Sequence, residues 1–356
     1  MRRALALARR GAGWVNPNPM VGSVVVKNGR VIGEGYHENF GGPHAEVNAL
    51  KGLSRRQTAG ATLYATLEPC AHQGKTPPCA ELIVDMKVTR VVVAMKDPNP
   101  LVNGKGIAFL RSKGIGVETG LMEEAARELN EPFIKYITTN RPFVVLKSAM
   151  TLDGKIATVT NASRWITGER SRRRVHFLRH SFSAVMVGIN TVMYDDPLLN
   201  VRLNGKRRNP LKIIIDTRAK ISPESKLLAN DPQLAIIATT ALADPGRIRL
   251  LERTGCQALV CPVKEGLVDL TFLMQALGTM GIDSVLLEGG STLAFSALRE
   301  GIVDKLVVFI APKIIGGENA PTPVGGAGIK TMEEALNLKH MRSKRSGDDI
   351  MIEAWL

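Results

Sequence analysis

A chain of 356 residues has room for two ordinary domains, each with a sizeable core. With 44% apolar and 22% charged residues and no apolar run of membrane length, it reads as a soluble globular protein without a helical membrane span. The formal charge of +14 suits nucleic acid or phosphorylated small molecules, but it is spread: residues 1–140 hold 18 Lys and Arg against 12 Asp and Glu, and residues 141–356 hold 29 against 21.

The first ten residues predict a helix rather than a targeting peptide, because their apolar core of about five residues is closed by Arg9 and Arg10. Asn16-Pro17-Asn18-Pro19 is a turn cluster that ends it. Residues 21–27 and 31–36 predict two strands joined around Asn28-Gly29, a strong hairpin signal, with Gly33 and Gly35 as strand glycines rather than a dinucleotide fingerprint. His44 opens a helix to about Leu53, 61–67 is a buried strand delivering Glu68-Pro69-Cys70, and 79–86 is helical. A strand at 90–95, the loop Asp97-Pro98-Asn99-Pro100, a short helix closing at 109–112 and a strand at 115–118 follow. This β-β-α-β-α-β-α-β order predicts a three-layer α/β/α domain over 1–140.

A helix over 125–137 leads to a linker at 138–142, and a second α/β rhythm fills 141–356. Strands are expected at 143–148, 184–188, 211–216, 234–238, 258–261 and 284–287, with helices between, one of them at 168–179. Ser284 to Thr292 is an apolar strand that ends in Gly289-Gly290, after which Ser291 and Thr292 open a helix. The free N–H groups of such a turn suit a phosphate.

The chemistry concentrates in Pro43-His44-Ala45-Glu46 and the later run from Pro69-Cys70 to Cys79. One histidine and two cysteines supply three ligands to a zinc ion and leave the fourth position to water, the pattern of a catalytic zinc. Glu46, two residues beyond His44, is close enough to handle that water's proton without ligating. H-x-E followed by P-C is the signature of zinc deaminases, in which activated water attacks an amino-bearing ring carbon. The usual second half is Cys-x-x-Cys; here the second cysteine comes nine positions after the first, and His72 lies between as a competing ligand. Cys79 is preferred, since thiolate binds zinc well and Thr76-Pro77-Pro78 would start a helix at it. His44 and Cys70 are expected at neighbouring helix N-termini, where helix dipoles favour thiolate. Cys256 and Cys261 read as buried thiols, and four cysteines so used imply a reducing, cytoplasmic compartment.

Together these residues resemble the bifunctional deaminase–reductases of riboflavin biosynthesis over essentially the whole chain. The first half carries NPNPMVG, PHAEVNAL, LEPCAHQGKTPPC and the DPNP loop; the second carries LKSAMTLDGKIA, SRWIT, GINTVMYDDPLLNVR and LLEGGSTL. The long PC…TPPC spacing is what that family shows. The resemblance implies a cytidine-deaminase-like first domain that deaminates a diamino-ribosylamino-pyrimidinone 5′-phosphate, and a dihydrofolate-reductase-like second domain that uses NADPH to reduce the ribosyl group to ribityl. It implies zinc on His44, Cys70 and Cys79, with Glu46 as proton shuttle. In the second half it implies cofactor contacts at Ala149, Trp165, Thr191, Asp195, Thr217, Gly290, Ser291 and Thr292, and substrate contacts at Ser163, Arg179, Leu199, Arg202 and Glu288. Arg179 and Arg202 suit phosphate clamps, and a buried acid at Glu288 needs a donor partner such as a ribose hydroxyl. Lys147 and Asp153 belong to the same cleft without an assigned step. A homo-oligomer is the expected assembly. Family members often begin a few residues earlier, so Met1 is read as an internal or late start.

Two rival readings compete with this one. A nucleic-acid deaminase predicts clustered charge and stacking aromatics, but aromatics are 4% of the chain. A zinc-stabilised scaffold has no use for a proton shuttle at Glu46.

Overall fold

The computed structural model describes residues 1–71, 78–100 and 102–356, and the chain divides into two units, Met1–Asn140 and Arg141–Leu356. The first unit runs α1 (Arg2–Ala8), β1 (Gly22–Lys27), β2 (Arg30–Tyr36), α2 (Ala45–Leu50), α3 (Arg55–Thr58), β3 (Thr62–Leu67), α4 (Cys79–Asp85), β4 (Arg90–Met95), α5 (Lys105–Ser112), β5 (Gly116–Thr119), α6 (Glu123–Leu129) and α7 (Glu131–Thr139). Its described strands form one sheet in the order β2-β1-β3-β4-β5, with β1 antiparallel to its neighbours and β3, β4 and β5 parallel. Asn28 and Gly29 both take positive φ, 51° and 74°, giving the primed hairpin turn whose twist matches the strands it joins.

The two strand glycines have a packing reason. A Cβ on Gly33 would lie 2.2 Å from the Ala49 carbonyl oxygen, and one on Gly35 2.4 Å from the Ala49 amide. Helix α2 therefore lies directly on β2, which fixes where its first residues, and His44 before them, stand. On that face Val25, Leu63, Ala65, Val91 and Val93 pack with Ala49, Leu50, Ile83 and Leu110. The other face receives Ala4 and Leu7 of α1 and Ala126 of α6, completing three layers.

Several boundaries differ from the sequence reading. Helix α2 stops at Leu50 rather than Leu53, because Lys51 leaves the helical region (ψ 128°) and Gly52 follows at φ 78°. The helix expected over 125–137 is two helices, α6 and α7. Pro132 opens the second, which suits a residue without an N–H. Asn130 between them exchanges hydrogen bonds with Met20, accepting from its N–H at 2.8 Å and donating to its carbonyl at 3.0 Å. The linker is shorter than 138–142, since α7 runs to Thr139, Asn140 turns at φ 53°, and the next strand starts at Phe143.

The second unit runs β6 (Phe143–Thr151), α8 (Glu169–Ser181), β7 (Ala184–Gly188), α9 (Ile189–Asp195), β8 (Leu211–Ile215), α10 (Lys226–Asn230), β9 (Ala235–Thr240), α11 (Pro245–Glu252) and β10 (Gln257–Cys261). A small hairpin, β11 (Val263–Lys264) and β12 (Leu267–Val268), precedes α12 (Leu270–Thr279), β13 (Ser284–Leu287), α13 (Ser291–Arg299), β14 (Lys305–Ala311), β15 (His340–Ser346) and β16 (Asp349–Trp355). The main sheet is ordered β10-β9-β8-β7-β13-β6-β14-β16-β15, parallel except that β16 runs against both of its neighbours. Helices α12 and α13 cover one face through Leu273, Met274, Leu277, Leu293 and Ala297. Helices α8 to α11 cover the other through Val175, Val192, Leu227 and Leu251. No described helix is long and apolar enough to cross a membrane.

Candidate functional site

In the first unit the carboxyl end of β3 is the organising point, as open α/β sheets place ligand sites beyond strand ends. His44 caps α2 in extended geometry, Cys70 follows β3, and Cys79 is the first residue of α4. Their ligand atoms lie within 4.8 Å of one another. The His44 Nδ1 stands 3.2 Å from the Cys79 Sγ and 3.5 Å from the Cys70 Sγ. Zinc bonds of ordinary length at tetrahedral angles would set nitrogen and sulfur about 3.6 Å apart, so the donor set fits that ion. The sequence expectation is corrected in one respect: Cys79, not Cys70, begins a helix. Cys70 shares that helix start by accepting the Cys79 backbone N–H at 3.3 Å.

The electrostatics prepare a thiolate. Hydrogen bonding to Cys79, outweighing burial and helped by His44, brings the Cys70 thiol down to about 4, while its hydrogen bond to Cys70 and burial push Cys79 up. The bond to Cys70 raises His44. Glu46, in the first turn of α2 and 3% exposed, has its pKa raised by burial. His72, the competing ligand, lies outside the described residues.

Two supporting residues had no signal of their own in the sequence. His37 is buried with its ring edge-on to His44, centroids 5.8 Å apart. Its Nδ1 must carry the hydrogen, because the Pro43 carbonyl at 3.0 Å can only accept; its Nε2 then accepts from Asn18 at 3.1 Å. Glu68 is also buried, and its carboxylate accepts backbone N–H groups from Asp97 (3.2 Å), Gly104 (3.0 Å) and Ile107 (3.1 Å). The segment between β4 and α5 is thereby tied to the turn that delivers Cys70.

The second unit holds a cavity of about 550 Å³ at the carboxyl ends of β7, β8 and β13. The sequence-expected residues of this half line it, except Trp165, Arg202 and Asp153. Thr191 and Asp195 come from α9, Ala149 from β6, Thr217 from the turn after β8, and Gly290, Ser291 and Thr292 from the start of α13. Ser163 donates its hydroxyl to the Asp195 carboxylate at 3.3 Å. Trp165 is 60% exposed and lies beneath the Arg172 guanidinium at 4.8 Å.

Glu288 stands at the end of β13, buried, and is gripped by two cations. Arg179 reaches it with Nε at 2.6 Å and Nη2 at 3.0 Å, and Lys147 with Nζ at 3.1 Å. Burial alone would push this carboxyl up; Arg179 and Lys147 outweigh it and hold the acid at about 2. The donors that meet Glu288 among the described residues are thus cations of the chain itself, Arg179 and Lys147. The third arm of Arg179 donates to the Asn200 carbonyl at 3.2 Å, so all three guanidinium nitrogens are engaged within the chain. The Arg202 side chain is exposed, with no hydrogen-bond partner or ion pair among the described residues.

A deaminase-type cluster of metal ligands in one unit and a nucleotide-sized cavity lined by charges of both signs in a mainly parallel α/β unit fit a two-site enzyme, a deaminase joined to a reductase. Comparison with known proteins agrees along the whole chain. Residues 1–95 match the cytidine and deoxycytidylate deaminase zinc-binding region, and residues 142–352 match the RibD C-terminal domain. The riboflavin biosynthesis protein RibD of Actinobacillus pleuropneumoniae is 46% identical over 353 residues, covering 99% of this chain and 93% of that one. RibD of Acinetobacter baumannii superposes with a TM-score of 0.89 at 38% identity, over 99% of this chain and 97% of that one. A Thermotoga maritima structure, described as a diaminohydroxyphosphoribosylaminopyrimidine deaminase/5-amino-6-(5-phosphoribosylamino)uracil reductase, gives 0.86 at 38% identity, over 100% and 97%. The chain belongs to the RibD family, the bifunctional deaminase–reductases of riboflavin biosynthesis.

Proposed function

We propose that residues 1–140 catalyse hydrolytic deamination of 2,5-diamino-6-ribosylamino-4(3H)-pyrimidinone 5′-phosphate. Residues 141–356 then reduce the ribosyl group of the resulting 5-amino-6-ribosylaminouracil 5′-phosphate to ribityl with NADPH. The observation that carries this reading is the convergence of His44, Cys70 and Cys79 beside buried Glu46, in a family whose Thermotoga maritima member is described with both activities.

A zinc ion on His44, Cys70 and Cys79 supplies a Lewis acid that activates water at neutral pH. Glu46 would be placed to take a proton from water held there and to return it to the departing amine. In the second unit NADPH supplies a hydride. Gly290, Ser291 and Thr292 offer N–H and hydroxyl groups to its pyrophosphate, with Ala149, Trp165, Thr191, Asp195 and Thr217 completing the cofactor contacts. The ribotide lies against Ser163, Leu199, Arg179 and Glu288, and the free fork of Arg202 takes its 5′-phosphate.

Four unpaired thiols fit a cytoplasmic setting. The exposed Met341 and Ile350 on the outer strands favour association with a second copy of the chain, which sedimentation would read. The test of function is one assay on zinc-quantified protein given the diaminopyrimidinone ribotide. Ammonia release before NADPH is added, then NADPH oxidation after it, is the expected result. Bound zinc with neither signal would overturn the reading.

A further inference from the structure

Between β14 and β15 lies a stretch of 28 residues, 312–339, whose only described helical segment is a short turn at Met332–Glu334. Its first half is fastened to the cavity-forming elements at successive points. Leu152 donates its N–H to the Lys313 carbonyl at 2.8 Å, and Ile156 to the Pro321 carbonyl at 2.9 Å. Lys155 Nζ reaches the Ala320 carbonyl at 3.3 Å. Gly325 donates to the Ser291 carbonyl at 3.1 Å, and a Cβ on Gly325 would come 3.0 Å from the Ser291 side chain, so the strap passes close to that turn. Ile156, Pro321 and Ser291 all line the cavity. This segment is a strap along one wall, and it braces the turn that opens α13.

The strap is stapled by Asp153, a residue the sequence reading left without a task. Its carboxylate accepts the Gly316 N–H at 2.7 Å, the Ile315 N–H at 3.2 Å and the Thr151 hydroxyl at 2.5 Å. Consecutive N–H groups converging on one carboxylate form a small anion cradle in the strap backbone, one that a turn-former alone would not need. The hydroxyl of Thr151 and the Gly316 N–H hold Asp153 at about 2, so the staple stays charged throughout the working pH range.

We propose that Asp153 is a positioning residue for the reductase step: it staples the 312–326 strap so that Pro321 walls the cavity and Gly325 braces the Ser291–Thr292 turn for the cofactor. This rests on the reading of the cavity as the NADPH site. Asparagine keeps the shape but presents one acceptor oxygen in place of two; alanine presents none.

The experiment compares Asp153→Asn and Asp153→Ala with the unaltered full chain by amide hydrogen exchange over 312–326 and by reductase kinetics, with ammonia release as an internal control. Faster exchange in the strap, KM for NADPH raised about tenfold, kcat within about twofold and unchanged ammonia release are expected. Lys155→Met, which removes a different fastener, should shift the same KM in the same direction to a smaller extent. Unchanged exchange would overturn the staple. Faster exchange with an unmoved KM, or a fall in kcat alone, would overturn the positioning role. Exchange is read without cofactor, so an unaltered chain that never consumed NADPH would refute the cavity reading while the staple was still judged separately.

Discussion

Arg179 holds both oxygens of Glu288, fork to fork, at 2.6 and 3.0 Å, with both side chains largely out of water. Such a pair is costly to break from one side, because the acid left behind is buried with only Lys147 beside it. Arg179→Met should destabilise the second unit by about 3 kcal/mol, and Arg179→Met with Glu288→Gln by less. Denaturant titration of the three chains would check it; equal losses would mean the pair is not coupled.

Glu46→Gln keeps the size of the side chain and removes its proton-carrying role. Zinc content should stay at one per chain while ammonia release falls by about 10²–10⁴. Cys70→Ser should instead lose both metal and ammonia release, with reduction of supplied intermediate retained. Metal analysis beside each assay separates the two outcomes.

Glu68 is satisfied by three backbone N–H groups, so the amide of Glu68→Gln turns a donor toward donors. A loss of about 1–3 kcal/mol in the first unit is expected, with slower ammonia release at saturating zinc. Thermal unfolding at fixed zinc concentration would measure it, and an unchanged midpoint would contradict the tie between the turn and the segment after β4.

His176 gives the second unit a pH dependence. Burial, then Arg179 and Arg202, push it down to about 4, and its Nδ1 accepts the Arg202 N–H at 3.2 Å. Its folded value is depressed, so below the ordinary histidine value near 6.5 the unfolded chain takes up a proton that the folded one refuses. Stability is lost as pH falls from about 6.5 toward 4. The full shift corresponds to about 3 kcal/mol, and partial solvent contact reduces it to roughly half. Unfolding midpoints at pH 7 and 5 should differ more for the unaltered chain than for His176→Gln.

What could be read in the sequence was local. His44, Glu46 and Cys79 announce themselves by residue type, spacing and a proline lead-in, and the Asn28-Gly29 turn by its positive φ requirement. Strand β15, by contrast, reads His-Met-Arg-Ser-Lys-Arg-Ser, with no apolar alternation, and was not anticipated. Its charges are placed by tertiary contact: Arg342 and Lys344 reach buried Glu353 of β16 at 3.1 and 3.0 Å. The occupied fork of Arg179 was equally hidden, since its partner lies 109 residues away in the chain. Asn130 broke an otherwise continuous helical pattern because its side chain is committed to Met20, a contact no local window contains.

The join at Asn140 and Arg141 has a consequence for supply as well as for folding. Because both units belong to one polypeptide, every translated copy delivers them in equal number. Raising or lowering expression cannot change their ratio. Any build-up of the deaminated intermediate is then set by the kinetic constants of the two sites and the supply of their substrates, and not by the relative amounts of the two units.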